Sequence, residues 1–305
     1  MPLIECVPNV SEGRRADIIA ALGAAIAAPG IHVLDQSSDP SHNRTVYTFA
    51  GEPGALRDAV FRLFAAAIQS IDLRVHDGVH PRIGAVDVVP FVPLHGATME
   101  ECVMLAKSTA ALVADRLHVP VFLYEEAATT DDRRSLSSIR RGGVGGVALR
   151  MKHAAWRPDF GPDQPHPTAG ATAIGARPIL VAYNVNLASN RLGVATRIAS
   201  IIRASNGGLA NVKALGLQLD HGIVQVSMNL TNYRETSMLT VFDAIAREAA
   251  LDGVRVLGSE IVGLVPADAL PADPARRLKL RTEDLDKVLE ARLETKNGEG
   301  PTNST

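Results

Sequence analysis

Leu215-Gly216-Leu217-Gln218-Leu219-Asp220-His221-Gly222-Ile223-Val224-Gln225-Val226-Ser227-Met228-Asn229-Leu230 places apolar residues at every second position on both sides of a short polar turn. A period of two is the spacing of a half-buried strand, and Asp220-His221-Gly222 is hairpin-type, so the stretch predicts two antiparallel strands. Outward from it, Ile179 to Val185 reads as a strand and Leu192 to Ile202 as an amphipathic helix. On the other side Met238 to Ala250 reads as a helix and Val254 to Leu257 as a closing strand. The order is βαββαβ, the ferredoxin-like unit.

The same order occurs earlier in the chain. Leu3 to Val7 is a strand, and Asp17 to Ile26 carries a helical stripe that Pro29-Gly30 ends. Ile31 to Leu34 and Thr45 to Phe49 are strands with a polar loop, Asp35 to Arg44, between them. A helix beginning near Pro53 presents Leu56, Val60, Leu63, Phe64 and Ile68, and Val86 to Val92 is the fourth strand. Met99 to Leu117 (helix) and Val119 to Tyr124 (strand) extend this half, Trp156 to Gly170 is irregular, and Thr282 to Leu293 is a polar helix. The reading is an α+β protein of two tandem ferredoxin-like βαββαβ subdomains with a cleft between them. The expected divisions are 1–176, 177–295 and a flexible tail over 296–305. The repeat is one of element order, not of residue identity.

Composition narrows the function. With 46% hydrophobic and 21% charged residues the chain is an ordinary soluble globular protein. A net charge of -2 gives no electrostatic case for a nucleic-acid partner. Cys6 and Cys102 cannot build a disulfide framework, the N-terminus lacks a signal-peptide pattern, and no run approaches the ~20 apolar residues of a membrane span. The expected compartment is the cytoplasm.

The chemistry-bearing stretch is His76-Asp77-Gly78-Val79-His80-Pro81-Arg82-Ile83-Gly84, which runs into the apolar strand at Val86. A stiff loop anchored on a strand holds a proton-transfer group still. His76 and His80 also have the i, i+4 spacing of a helical metal pair, but Gly78 and Pro81 oppose a helix there. A third ligand would have to come from Asp77, Asp87 or His95, and no metal is expected. The basic residues Arg133-Arg134 and Arg140-Arg141 read as a solvated loop, or as a grip for a polycarboxylate.

Six segments in order resemble the glutamate formimidoyltransferase family. They are Glu5-Cys6-Val7-Pro8-Asn9-Val10-Ser11-Glu12-Gly13, Asn43-Arg44-Thr45-Val46-Tyr47-Thr48-Phe49 and His80-Pro81-Arg82-Ile83-Gly84-Ala85. The others are Pro158-Asp159-Phe160-Gly161-Pro162, Gly170-Ala171-Thr172-Ala173-Ile174-Gly175-Ala176-Arg177 and Val262-Gly263-Leu264-Val265-Pro266. The resemblance spans roughly residues 2 to 270. It implies transfer of a formimidoyl group between N-formimidoyl-L-glutamate and nitrogen 5 of tetrahydrofolate, in histidine breakdown. It also implies a homodimer with folate between the subdomains. Nothing resembles the helical cyclodeaminase domain of the animal enzymes, so a cyclodeaminase would be a separate chain.

By the same resemblance His80 is the catalytic histidine, and one imidazole can take a proton from the attacking amine and return it to the leaving one. Arg44 and Arg82, with Arg177 behind them, are the candidates for the substrate carboxylates, arginine forks matching carboxylates bidentately, and Ser37 and Asn43 are further candidates for substrate or folate contact. Gly161, Pro162, Asp163, Gln164, Pro165, His166, Pro167, Thr168, Ala169 and Gly170 align with the family's folate-contacting stretch. Three departures stand out. Ser37 occupies the position of the aspartate that assists the histidine in the animal enzymes, with Asp35 and Asp39 two residues away as substitute carboxylates. Val79 replaces a glutamate, and Asp77 stands where a basic residue is common. The competing readings are a related formyl-group transferase, a non-catalytic folate-binding protein, and a metal-assisted hydrolase on His76 and His80.

Overall fold

The apolar stripes of the first half build one side of a sheet. β1 (Ile4–Cys6) and β2 (Asn9–Val10) are two pieces of one N-terminal strand. The gap between them falls at Val7-Pro8, where proline has no N–H to donate. β3 (Ile31–Asp39) pairs antiparallel with β4 (Arg44–Gly51), and both N-terminal pieces lie between β4 and β5 (Val86–Pro93). Counting the two pieces as one, these four strands follow the 2-3-1-4 order of a βαββαβ unit. β6 (Val121–Glu125) and β7 (Thr172–Ala176) extend the sheet, β7 running parallel between β5 and β6. The structure, a computed structural model, describes residues 2–78, 81–219 and 222–298.

Three helices, Ala16–Ile26, Pro53–Ser70 and Met99–Leu117, cover one face of this sheet. Their stripes bury Leu22, Leu63, Phe64 and Val113 against Ile4, Cys6, Tyr47, Phe49 and Phe91. The third is the most sharply bounded. Thr98 and Glu101 form a reciprocal capping box at its start, and left-handed His118 ends it. Short helices at Asp131–Arg134, Leu136–Arg140 and Gly143–Arg150 sit on the opposite face, where Val88, Phe122 and Ala173 meet Ile139 and Val147.

The chain parts into two compact units between Arg177 and Pro178. In the second, β8 (Val181–Leu187), β9 (Val212–Gln218), β10 (Val224–Leu230) and β11 (Val256–Val262) form an antiparallel sheet of order β11-β8-β10-β9. That is again the ferredoxin-like order. Helices Leu192–Ile202 and Met238–Leu251 bury Ile198, Val241 and Ile245 against Tyr183, Val185 and Val226. A Cβ on Gly216 would lie 2.4 Å from the backbone nitrogen of Thr196, so only glycine lets the first of these helices approach β9 this closely. The α+β class and the doubled element order are as the sequence predicts.

Several boundaries differ. The expected polar loop from Asp35 to Arg44 is mostly strand, because β3 is a sheet edge on which polar side chains remain compatible with pairing. β7 and the short helices over 131–150 escaped the periodicity reading, being too short or too rich in small residues to show a stripe. The closing strand lies two residues later than expected, starting at Val256. The polar helix expected from Thr282 begins only at Leu289. Asp284 is fully buried there and takes hydrogen bonds from Arg281 and Lys287, which breaks the helical path. Of the expected flexible tail, residues 296–298 belong to the helix Leu289–Gly298 and 299–305 lie outside the described residues. The turn residues Asp220 and His221 also lie outside them. Among the described residues no helix is long and apolar enough to cross a membrane.

Candidate active site

Strand register places the polar candidates on one face. Asp39 is opposite Arg44, Ser37 opposite Val46 and Asp35 opposite Thr48. Directly opposed residues share a face, so Asp35, Ser37, Asp39 and Arg44 stand together, away from Tyr47 and Phe49 in the core. Ser37 is exposed on the edge strand.

At the tip of this hairpin the chain reverses through Asn43, which is left-handed at φ 48°. Its buried amide joins three segments: Oδ1 accepts from the Gly13 N–H at 2.9 Å, and Nδ2 donates to the Asp77 carbonyl at 2.8 Å. Gly13 is required by the approach, since a Cβ there would lie 2.5 Å from the Arg44 nitrogen. Arg14 adds a link, donating to the Pro40 carbonyl and pairing with Asp77 at 2.8 Å.

Arg82 ties the histidine-bearing loop to the same hairpin. It donates to the His42 carbonyl at 2.9 Å, to the Asn43 carbonyl at 3.4 Å and to the His76 ring. An arginine only donates, so that ring nitrogen accepts and His76 is neutral. Burial and then the adjacent guanidinium push His76 below the ordinary histidine value, in agreement with that role. Burial also lowers Arg44, which has Arg140 and Arg82 as like-charged neighbours and Asp39 and Asp87 as opposite ones. The catalytic candidate His80, with Val79, lies outside the described residues. Gly78 and Pro81, on either side of that pair, line a cavity of about 340 Å³ together with Leu73, His76, Arg82 and Gly143.

Asp39 is committed to His42. Its Oδ1 accepts the His42 N–H at 2.8 Å and its Oδ2 faces the ring Nδ1 at 2.7 Å. Burial pushes its carboxyl up, but these bonds outweigh burial and hold it below the ordinary aspartate value. His42 was not among the sequence candidates, although it directly precedes the Asn43-Arg44 motif. Asp87 was weighed only as a metal ligand, yet it accepts the Ile83 N–H at 2.7 Å and pairs with Arg140.

The remaining candidates lie in other surroundings. Arg177 donates its backbone N–H to Phe91 at 3.0 Å and its side chain reaches the buried Tyr124 hydroxyl. Gly161 backs onto the Val119 carbonyl, 3.0 Å from where its Cβ would be, beside the end of the Met99–Leu117 helix. Pro162 and Pro165 are half-buried, and Asp163, Gln164 and Pro167 are exposed. His166 closes a small loop on Gly170 through two backbone bonds, and its Nδ1 accepts the Ala169 N–H at 3.1 Å. The carbonyls of Thr168 and Ala169 receive the N–H groups of Leu73 and Ala85, each at 2.9 Å. The segment therefore braces both stems of the histidine-bearing loop. The basic residues divide: Arg133 is buried against Asp159 at 2.7 Å and Arg140 holds Asp87, whereas Arg134, paired with Glu126, and Arg141 are exposed. Among the described residues no group of three His, Cys, Asp or Glu side chains is placed to hold a metal ion.

Glu12 anchors the base of the site. It is 2% exposed and accepts the N–H groups of Arg14 and Arg15 and the Arg15 guanidinium. Burial pushes its carboxyl up, but these donors prevail and hold it below the ordinary glutamate value of 4.5. A depressed carboxylate contributes stability above its unfolded value and loses it as pH falls through the folded one. The urea midpoint is therefore expected to drop as pH falls below the ordinary glutamate value of 4.5, with a shallower drop in Glu12→Gln.

These motif segments recur in known proteins. The family model for the N-terminal subdomain of the formiminotransferase domain matches residues 3–177, and the model for the formiminotransferase domain matches residues 182–285. The chain belongs to the formiminotransferase family. It is 44% identical to the glutamate formimidoyltransferase of Streptococcus pyogenes serotype M1, over 95% of this chain and 98% of that one. It is 45% identical to the glutamate formimidoyltransferase of Thermoplasma acidophilum, over 96% of this chain and 98% of that one. It is also 45% identical to the formimidoyltransferase-cyclodeaminase of Sus scrofa, where the match covers 88% of this chain and 51% of the longer protein. Within this formiminotransferase-family chain, the first matched region contains the whole cluster around Asn43 and Arg82, and the second contains β9, β10, β11 and all but the first residue of β8.

Proposed function

We propose that the chain is a glutamate formimidoyltransferase, moving the formimidoyl group between N-formimidoyl-L-glutamate and N5 of tetrahydrofolate in histidine degradation. The observation that carries this is the convergence of separate family motifs, at Gly13, Asn43-Arg44 and Arg82, on one hydrogen-bonded junction beside the histidine loop. Full-length relatives named for the activity support the same reading.

In this reading tetrahydrofolate is the co-substrate and no metal takes part. His80 accepts the proton released as N5 attacks the amidine carbon. Arg44 and Arg82 bind a carboxylate of the amino-acid donor, a reading supported by their charge and by their closeness to each other. Of the two carboxylates flanking Ser37, Asp35 replaces the one that Ser37 lacks, Asp39 being engaged by His42, and the 161–170 segment contacts folate while bracing the loop. Arg177, with its guanidinium at Tyr124, is a more remote partner. The protein works as a homodimer in the cytoplasm.

Mixing the protein with tetrahydrofolate and N-formimidoyl-L-glutamate should yield 5-formimidoyl-tetrahydrofolate, followed by its absorbance and mass. Turnover of only an N-formyl donor would make it the formyl-transferring relative. Folate binding without turnover of either donor would make it a binding protein.

A further inference from the structure

We propose that His42, oriented by Asp39, is a second proton-transfer residue of this site and delivers the proton to the departing glutamate nitrogen. The inference rests on the transfer reaction proposed above and assigns one of its steps.

The geometry is that of a carboxylate–imidazole pair. With Oδ2 of Asp39 2.7 Å from Nδ1 of His42, the carboxylate fixes Nδ1 as the proton-bearing nitrogen and leaves Nε2 as the exchanging one. A turn-closing role does not account for the ring. The backbone N–H of residue 42 already closes the turn on Asp39 Oδ1 at 2.8 Å, and any residue but proline would supply it. The imidazole bond is additional, and the ring stays 39% exposed.

The pair also adjoins the loop that carries the catalytic histidine. The His42 carbonyl accepts from Arg82 at 2.9 Å and lies 2.6 Å from where a Cβ on Gly78 would be. Gly78 and Arg82 each stand two positions from residue 80. The charged and titratable groups around this turn are Asp39 and Arg44 on the hairpin, Arg14 from the segment after β2, and His76, Asp77 and Arg82 on the loop.

The chemistry has work for two imidazoles. The donor reacts as its amidinium: as N5 bonds to the carbon, the C=N electron pair moves to the imino nitrogen and leaves it a neutral amino group, and the N5 proton goes to His80. When the tetrahedral adduct collapses, the carbon–glutamate nitrogen bond breaks and its electron pair stays on that nitrogen. Protonated His42 supplies the proton that makes the leaving group a neutral amine, and the lone pair of the former imino nitrogen re-forms the C=N bond, leaving the formimidoyl group on N5. Exchange with water resets both rings.

The test is the pH profile of kcat, measured with tetrahydrofolate and N-formimidoyl-L-glutamate for the unaltered protein, His42→Gln and Asp39→Asn. His42→Gln should lower kcat by about 10²-fold or more, change the donor KM less than about threefold, and abolish the alkaline limb. Asp39→Asn, which keeps the turn bond but removes the charge, should move that limb to lower pH. An unchanged kcat in His42→Gln, or a lower kcat with the alkaline limb intact, overturns the assignment while the transferase reading stands. An unaltered protein that transfers nothing overturns both.

Discussion

Replacing His80 by alanine is expected to lower kcat for formimidoyl transfer by about 10²–10⁴-fold, the usual worth of one positioned acid–base group, with tetrahydrofolate bound as tightly as before. The split between rate and affinity follows from how the loop is held. Its C-terminal stem is fixed without help from residue 80: Asp87 takes the Ile83 N–H, Ala169 takes that of Ala85, and Ile83 takes that of Ala171. Arg82 and Asn43 secure the other contacts to the hairpin. Removing an imidazole therefore removes a proton carrier and leaves its frame in place. Steady-state kinetics beside calorimetric titration with a 5-substituted folate would separate the two quantities, and a fully active variant would refute the role.

The largest loss of stability is expected at Asp159. This carboxylate is 8% exposed, pairs with Arg133 at 2.7 Å, and accepts from the Leu123 N–H at 2.8 Å and the Thr129 hydroxyl at 2.5 Å. Arg133 is 6% exposed and spends its other donors on the carbonyls of Ala155 and Arg157. Asp159→Ala strands this guanidinium in a nearly dry site, which costs about 3–5 kcal/mol. Urea unfolding should show the loss as a lower midpoint, and adding Arg133→Leu should return part of it because the uncompensated charge is then gone.

Much of this fold was legible because its helices and central strands carry unbroken apolar periods. The Leu192–Ile202 and Met99–Leu117 helices and the β9–β10 pair are read directly from spacing. β3 was only half legible. Past Leu34 its residues are polar, and nothing local distinguishes an edge strand held by β4 from a loop. β7 consists of Thr172, Ala173, Ile174, Gly175 and Ala176, whose small side chains signal a tight fit between neighbours rather than a period. At the site, Asn43 is legible only through a family motif, whereas Arg82 is also marked by its charge within the stiff histidine-bearing loop. His42 was missed because a lone turn histidine has no signature until its carboxylate partner, three residues away, is seen to face it. Asp87 and Arg140 lie far apart in sequence, so their pairing is visible only in three dimensions.

The position of β7 has a consequence for how the protein is made. It enters the sheet between β5 and β6 although it is the last of the three to leave the ribosome. Until residue 176 is synthesised, β5 has a bare edge and β6 has no neighbour, so the first sheet cannot close in step with translation. In the second sheet β8 likewise keeps one edge bare until β11 is made, so each nascent half passes through a stage with a waiting strand edge, at which this chain most needs protection from aggregation.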